Sequence, residues 1–228
     1  MVYATSIIRK KLQKAFPSPN TDAIVLSRFG RSGSTMLYES LIAACAKRRF
    51  GLNSKLSRSF CRDEAWGIAG KPLYRGVVYK THDLPIDLPK QPNSRAIFIF
   101  GSATEAALSV MSCKQRYGDQ WINNHFSRLK SRRRIEDVPF FDVLQFEKQH
   151  SMGTNFSHIP VLCVKFEKIW QNLRVLEEFV GFHLELPERR DRKSSKDDRE
   201  LVDTIMHTYS HLDEVIDGLP DFCLSGSI

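Results

Sequence analysis

Two stretches of this 228-residue chain combine residue types that handle anions and protons. The first reads Ser27-Arg28-Phe29-Gly30-Arg31-Ser32-Gly33-Ser34-Thr35. Its glycines allow a tight turn that presents successive backbone N–H groups, Ser34 and Thr35 add hydroxyl donors, and Arg31 supplies a planar fork of positive donors. Between a strand and a helix, such a segment serves either as a helix cap or as an anion cradle. The nucleoside-triphosphatase pattern needs a Lys directly after the second loop glycine. Ser34 stands there instead, and Gly30 lies only three residues before Gly33, which weighs against a kinase or GTPase. The second stretch is Val77-Val78-Tyr79-Lys80-Thr81-His82-Asp83-Leu84-Pro85. In extended chain, the spacing of Lys80 and His82 puts a cation and a titratable base on one side. An imidazole with the ordinary pKa of about 6.5 can accept a proton near neutral pH. A lone histidine is more often structural, so its neighbours decide the matter.

The elements that must position these residues are legible as short apolar runs. Ala23–Ser27, Val77–Thr81, Arg95–Phe100 and Pro160–Lys165 are rich in Ile, Val and Phe, and read as buried parallel strands. Helical patterns follow over Thr35–Arg48, Thr104–Cys113 and Phe166–Val180, and a further helix is expected over about Lys196–Ile216. In Phe166–Val180 the apolar residues Phe166, Ile169, Leu173, Leu176 and Phe179 recur at helical steps; in the last helix Leu201, Ile205, Tyr209 and Leu212 do so. Strands alternating with helices predict an α/β fold, a three-layer sandwich with a central parallel sheet. Ligands then bind beyond the carboxyl ends of the strands, where both stretches fall. At 42% hydrophobic, with 15 Phe and 3 Trp, residues 1–228 read as a single domain. The segments Phe50–Gly76 and Lys114–His158 are irregular or helical and are candidate covers on the substrate side. Their aromatics Phe60, Trp66, Tyr74, Tyr117, Trp121 and Phe126 serve either an acceptor pocket or the core.

The formal charge of +8 implies an anionic partner without fixing its class. Basic runs at 47–49, 132–134 and 189–193 are equally consistent with solvated faces. Aromatic-interleaved basic repeats are absent, which ranks nucleic acid low; binding that resists salt would remove that reading. Met1–Phe16 does not read as a secretory signal, because its apolar patch is short and its positive charges follow it. No run of 18 apolar residues predicts a membrane span. The five cysteines are scattered without a C-x-x-C, so neither a disulfide framework nor a zinc site follows, and Cys45 and Cys163 read as core. A reducing cytoplasm is the expected location. No carboxylate cluster suggests a metal. The sequence does not define the oligomeric state.

The two motifs together resemble those of cytosolic sulfotransferases. Arg31-Ser32-Gly33-Ser34-Thr35 is similar to that family's 5′-phosphosulfate loop. Lys80-Thr81-His82 followed by Leu84-Pro85 resembles its Lys-Thr-His-Leu-Pro motif, with Asp83 as an extra residue. The resemblance implies a sulfotransferase fold of the P-loop-NTPase type. The donor would be 3′-phosphoadenosine 5′-phosphosulfate (PAPS), the product adenosine 3′,5′-bisphosphate, and the acceptor a small molecule with a hydroxyl or amine. It implies that His82 takes the acceptor's proton, that Lys80 and Arg31 stabilise the transferring sulfuryl group, and that Arg31, Ser32, Gly33, Ser34 and Thr35 hold the phosphosulfate. Ser109 matches a family Ser at the donor's 3′-phosphate. The Arg expected eight residues earlier is Gly101. Arg192 and Lys193 lie where the family has an Arg-Lys-Gly element at the same phosphate. Met36 stands where cytosolic members often carry a Trp near the adenine, and Glu167 is expected to cap or orient the helix after the fourth strand. Three consequences of Gly101 stand open. Another cation takes over, with Lys114, Arg116 and 189–193 as candidates; PAPS binds weakly; or the chain is a nucleotide-binding protein that has lost catalysis.

Overall fold

The computed structural model describes residues 13, 18, 20–28, 33–65, 67–129, 131, 133–155, 158–189 and 199–224. Every apolar run becomes a strand of one sheet. In chain order the strands are β1 (Ala23–Arg28), β2 (Arg62–Glu64), β3 (Val78–Lys80), β4 (Ser94–Phe100), β5 (Val161–Lys165) and β6 (Phe222–Leu224). They lie in the order β2-β3-β1-β4-β5-β6. β1 pairs in parallel with β3, Leu26 opposite Lys80, and with β4, Leu26 opposite Ile97.

Side chains alternate across this sheet as the pleat requires. Val25, Tyr79, Phe98, Phe100 and Cys163 point into one apolar cluster. Ile24, Leu26, Val78, Ile97, Ile99 and Val164 point into the other. Each cluster is closed by helices. α1 (Ser34–Phe50) and, later in the chain, the helix Leu173–Val180 cover the second face; Ala103–Tyr117 and Arg199–Asp217 cover the first. In chain order, α2 is Lys55–Phe60, α3 Ala103–Tyr117, α4 Asp119–Leu129, α5 Phe146–Asn155, α6 Leu173–Val180 and α7 Arg199–Asp217. The layering is that of an α/β sandwich, with helices on both faces of the sheet. Among the described residues, no helix is long and apolar enough to cross a membrane. All five cysteines are buried and reduced.

Two expectations need correction. The sheet is mixed, because β6 runs antiparallel to β5, with Cys223 opposite Cys163. The cause is Lys165, which is almost fully buried. Its ammonium donates to the carbonyls of Asp217 at 3.1 Å and Leu219 at 2.6 Å. That holds the end of α7 at the carboxyl end of β5, so the chain that follows can pair with β5 only by running back. The helix expected over Phe166–Val180 is also shorter. Phe166–Lys168 is a 3-10 turn, and α-helix is resumed only at Leu173. Phe166, Ile169 and Trp170 have tertiary partners that a straight helix would not reach, and these override the periodicity. The basic run at 47–49 lies in the last turn of α1, where cations complement the carbonyl end of a helix.

Lys165→Met keeps the length of the side chain but removes the donor to both carbonyls. It should lower the unfolding free energy by about 1.5–3 kcal/mol, read as a lower urea midpoint with an unchanged slope. An unchanged midpoint would mean the contact does not hold α7.

Candidate functional site

The carboxyl ends of β1 and β4 lie side by side, and the helices that follow them depart to opposite faces of the sheet. A crevice opens at such a switch point. The chain leaves β1 through residues 29–32; Arg31 and Ser32 are therefore outside the described residues. Chain description resumes at Gly33, which precedes α1 with φ 72° and ψ 11°. This left-handed conformation favours glycine. Gly33 is also needed for space, since a Cβ there would fall 2.2 Å from a carbon of the Phe166 ring. With Gly as its N-cap residue and no acid in its first turn, α1 has no capping side chain of its own at that position. Ser34 is buried and Thr35 exposed at this end. The helix-cap use of the segment is thus not made by a side chain at Gly33, and the positive end of the α1 dipole faces the crevice.

Lys80, the last residue of β3, is 6% exposed. Its Nζ donates to Thr35 Oγ1 at 3.1 Å, lies 3.2 Å from Glu64 Oε1 and stands 5.3 Å from the centre of the Tyr38 ring. A buried ammonium requires such company. Burial pushes the Tyr38 phenol above its usual range, against the opposing field of Arg62, so the ring is neutral. β3 ends at Lys80, so strand alternation does not itself place His82. The turn does that. Thr81 N donates to Leu26 O at 3.1 Å, Asp83 N donates to Thr81 Oγ1 at 3.1 Å, and Ser27 Oγ donates to Asp83 O at 2.6 Å. His82 is half-buried between these anchors. Asp83 also accepts from the backbone N–H of Ile68 and from that of Ala69 at 3.0 Å. It thereby ties the His82 turn to the covering loop 67–69.

A groove of about 700 Å³ runs beside α1. Met36, Ala43, Phe166, Trp170, Leu186 and Pro187 give it apolar walls, and Glu39 and Arg58 contribute an ion pair 2.7 Å long. Phe166 and Trp170 meet edge to face at 5.3 Å, and Trp170 Nε1 donates to Pro187 O at 2.9 Å. Apolar walls with fixed aromatic edges accept a flat ring. Met36 is thus a wall of a cavity.

The turn from β4 into α3 has the opposite character. Gly101 is buried, and a Cβ there would fall 3.0 Å from Glu167 Oε1 and 3.1 Å from Oε2. The carboxylate of Glu167 therefore lies over Gly101. The first turn of α3 is filled by Asp213 of α7, which accepts from Ala103 N at 2.6 Å, Ser102 Oγ at 3.1 Å and Thr104 N at 3.4 Å. Ser109 is half-buried in α3, six residues or about 9 Å along the axis from Ala103. Arg192 and Lys193 are outside the described residues. Lys114 and Arg116 lie in the last turn of α3, with Lys114 paired to Glu136 at 2.9 Å. The length of a helix separates them from Gly101, so they do not replace its missing cation. Of the aromatic candidates, Phe126 is in the core, Tyr117 is exposed, and Phe60 packs on Phe50 at 6.1 Å. Trp66 and the Trp121 side chain are outside the described residues.

No family model matches the chain, and no curated protein matches it. Sequence reasoning missed Glu64, Phe166 and Asp213 as parts of this region, and assigned Asp83 no role. Only Asp83 carried a signal, as the residue that breaks an otherwise recognisable motif.

Gly33→Ala should lower the unfolding free energy by at least about 1 kcal/mol, from the left-handed backbone alone, with the ring contact adding to this. Combining it with Phe166→Leu should recover part of the cost in a double-mutant cycle followed by urea unfolding. Strict additivity would exclude the contact.

Proposed function

We propose that this chain is a sulfotransferase moving a sulfuryl group from PAPS to a hydroxyl or amine of a small acceptor. The observation that carries this is the buried Lys80 ammonium at the end of β3, bonded to Thr35 in the first turn of α1. It joins a full positive charge to a helix N-terminus that has no acid of its own. Two motifs distant in sequence thus meet at one corner, which supports the anion-accepting role that the resemblance implies. The order β3-β1-β4-β5 with α1 after β1 is compatible with the P-loop-NTPase-like sulfotransferase fold. The groove beside Met36 offers apolar walls to the base of a nucleotide.

In this mechanism the acceptor attacks sulfur in line with the leaving phosphate oxygen, and His82 takes its proton. Lys80, with Arg31 from the preceding loop, offsets the charge that develops on the bridging oxygen. Backbone N–H groups from Ser32 to Thr35 hold the 5′-phosphate. Positioning and preorganised charge supply the rate enhancement. The buried thiols suit a reducing cytoplasm.

His82→Ala should reduce sulfuryl transfer by about 10²–10⁴-fold while leaving nucleotide affinity within about twofold in calorimetry, since base catalysis acts on the transition state. A variant retaining full transfer would remove His82 from the chemistry. Lys80→Met should weaken both binding and transfer, by about tenfold or more in binding, the scale of a charge-assisted contact. Unchanged donor affinity would separate Lys80 from the anion site and leave the proposed function without its main support.

A further inference from the structure

We propose that the nucleotide bound here presents a free ribose hydroxyl, not a phosphate, to the β4–α3 turn, and that Glu167 sets this preference. The proposal rests on the sulfuryl-transfer reading above and replaces its donor, PAPS, by adenosine 5′-phosphosulfate without the 3′-phosphate. The two helix ends at the carboxyl edge of the sheet differ in one decisive respect. α1 begins with a glycine, has no acidic residue in its first turn, and has Lys80 bonded to Thr35. α3 begins with its N–H groups already taken by the Asp213 carboxylate. A second anion at α3 would have to displace Asp213 or stand beside it.

Glu167 strengthens that asymmetry. Its two carboxylate oxygens lie about as close to Gly101 as a side chain there would permit. A phosphate on that side meets like charge; a hydroxyl meets an acceptor for its proton. The nearby described cations do not sit over Gly101. Lys165 is buried on the carbonyls of Asp217 and Leu219, and Lys168 Nζ lies 3.9 Å from Asp221. Arg189 is exposed, with its guanidinium 3.5 Å from the backbone carbonyl of Glu167 and 6.0 Å from the Trp170 ring centre. It therefore adjoins the groove side of Glu167 while the carboxylate lies on Gly101. One anionic group at α1 and one hydroxyl at β4 describe a nucleoside 5′-phosphosulfate. In the transfer step, the bond from sulfur to the oxygen bridging it to phosphorus breaks. The acceptor's oxygen or nitrogen bonds to sulfur and its proton passes to His82. The electron pair of the broken bond leaves with adenosine 5′-monophosphate.

Calorimetric titration of the full chain with adenosine 5′-monophosphate and with adenosine 3′,5′-bisphosphate tests this. The monophosphate should bind at least about tenfold more tightly, the scale set by one charge contact. Glu167→Gln, which keeps shape and removes charge, should shrink that ratio by about tenfold, chiefly through tighter bisphosphate binding. Equal or tighter binding of the bisphosphate by the wild-type chain overturns the proposal and leaves the sulfuryl-transfer reading standing. If neither nucleotide binds, that reading fails and the donor assignment with it. If the variant keeps the wild-type ratio, Glu167 is not the determinant.

Discussion

A single buried ammonium organises one side of this molecule. Lys80 sits at the end of a three-residue strand, in a position that excludes most water. A charge there is tolerated only with partners around it. Those partners come from two elements: Thr35 and Tyr38 on α1, and Glu64 on β2. β2 is itself three residues long, and beyond its ladder with β3 it is tied to α1 by Arg62, which pairs with Glu39 at 2.8 Å and stands over the Tyr38 ring at 5.7 Å. The Lys80 contacts add to these ties and join the first turn of α1 to the end of β3. Because Glu64 is more than half exposed, its attraction for Lys80 is screened by solvent and weaker than a buried pair's. Lys80 is therefore held in place by a pair that solvent keeps weak, which suits the anion-binding role proposed for it.

The strands were largely legible because a strand buried on both faces cannot conceal its composition. β1, β4 and β5 are runs of Ile, Val, Leu, Ala and Phe, and their ends in the structure differ from the sequence reading by a residue or so. The helix over Arg199–Asp217 was equally plain, since Ile205, Tyr209, Leu212 and Ile216 form one buried stripe. β2 and β6 were not legible. Each is three residues long, too short for an alternating pattern to show, and long-range contacts such as Lys80 with Glu64 and Lys165 with Asp217 and Leu219 help to place them. The late start of α6 was hidden for a related reason. Phe166 and Ile169 keep helical spacing, yet Phe166 must reach the Gly33 turn.

The candidate site divides in the same way. Gly33, Thr35, Lys80 and His82 could be singled out because their chemistry is carried by local spacing. Glu64, Glu167 and Asp213 could not, because each acts through a contact far away in the chain. Asp213 meets Ala103 across 110 residues, and no periodicity reports such a distance. Gly101 was read as a missing cation. Its neighbours add what the sequence did not show, since the Glu167 carboxylate lies 3.0–3.1 Å from where a Cβ at this position would stand.

β5 links the two halves of the crevice. Its last residue, Lys165, is anchored to the end of α7. The next two residues then serve different partners, Phe166 against Gly33 and Glu167 against Gly101. One ring therefore sets the clearance beneath the Gly33 turn while the adjacent carboxylate sets the charge at the Gly101 turn. The 3-10 geometry of Phe166–Lys168 makes this possible. Its tighter winding turns successive side chains through about 120° rather than the 100° of an α-helix. Had α6 begun directly after β5, the two side chains would have been carried along a continuous helix surface. Both contacts are made from the 3-10 turn that precedes α6, so a single strand end serves both turns before the helix begins.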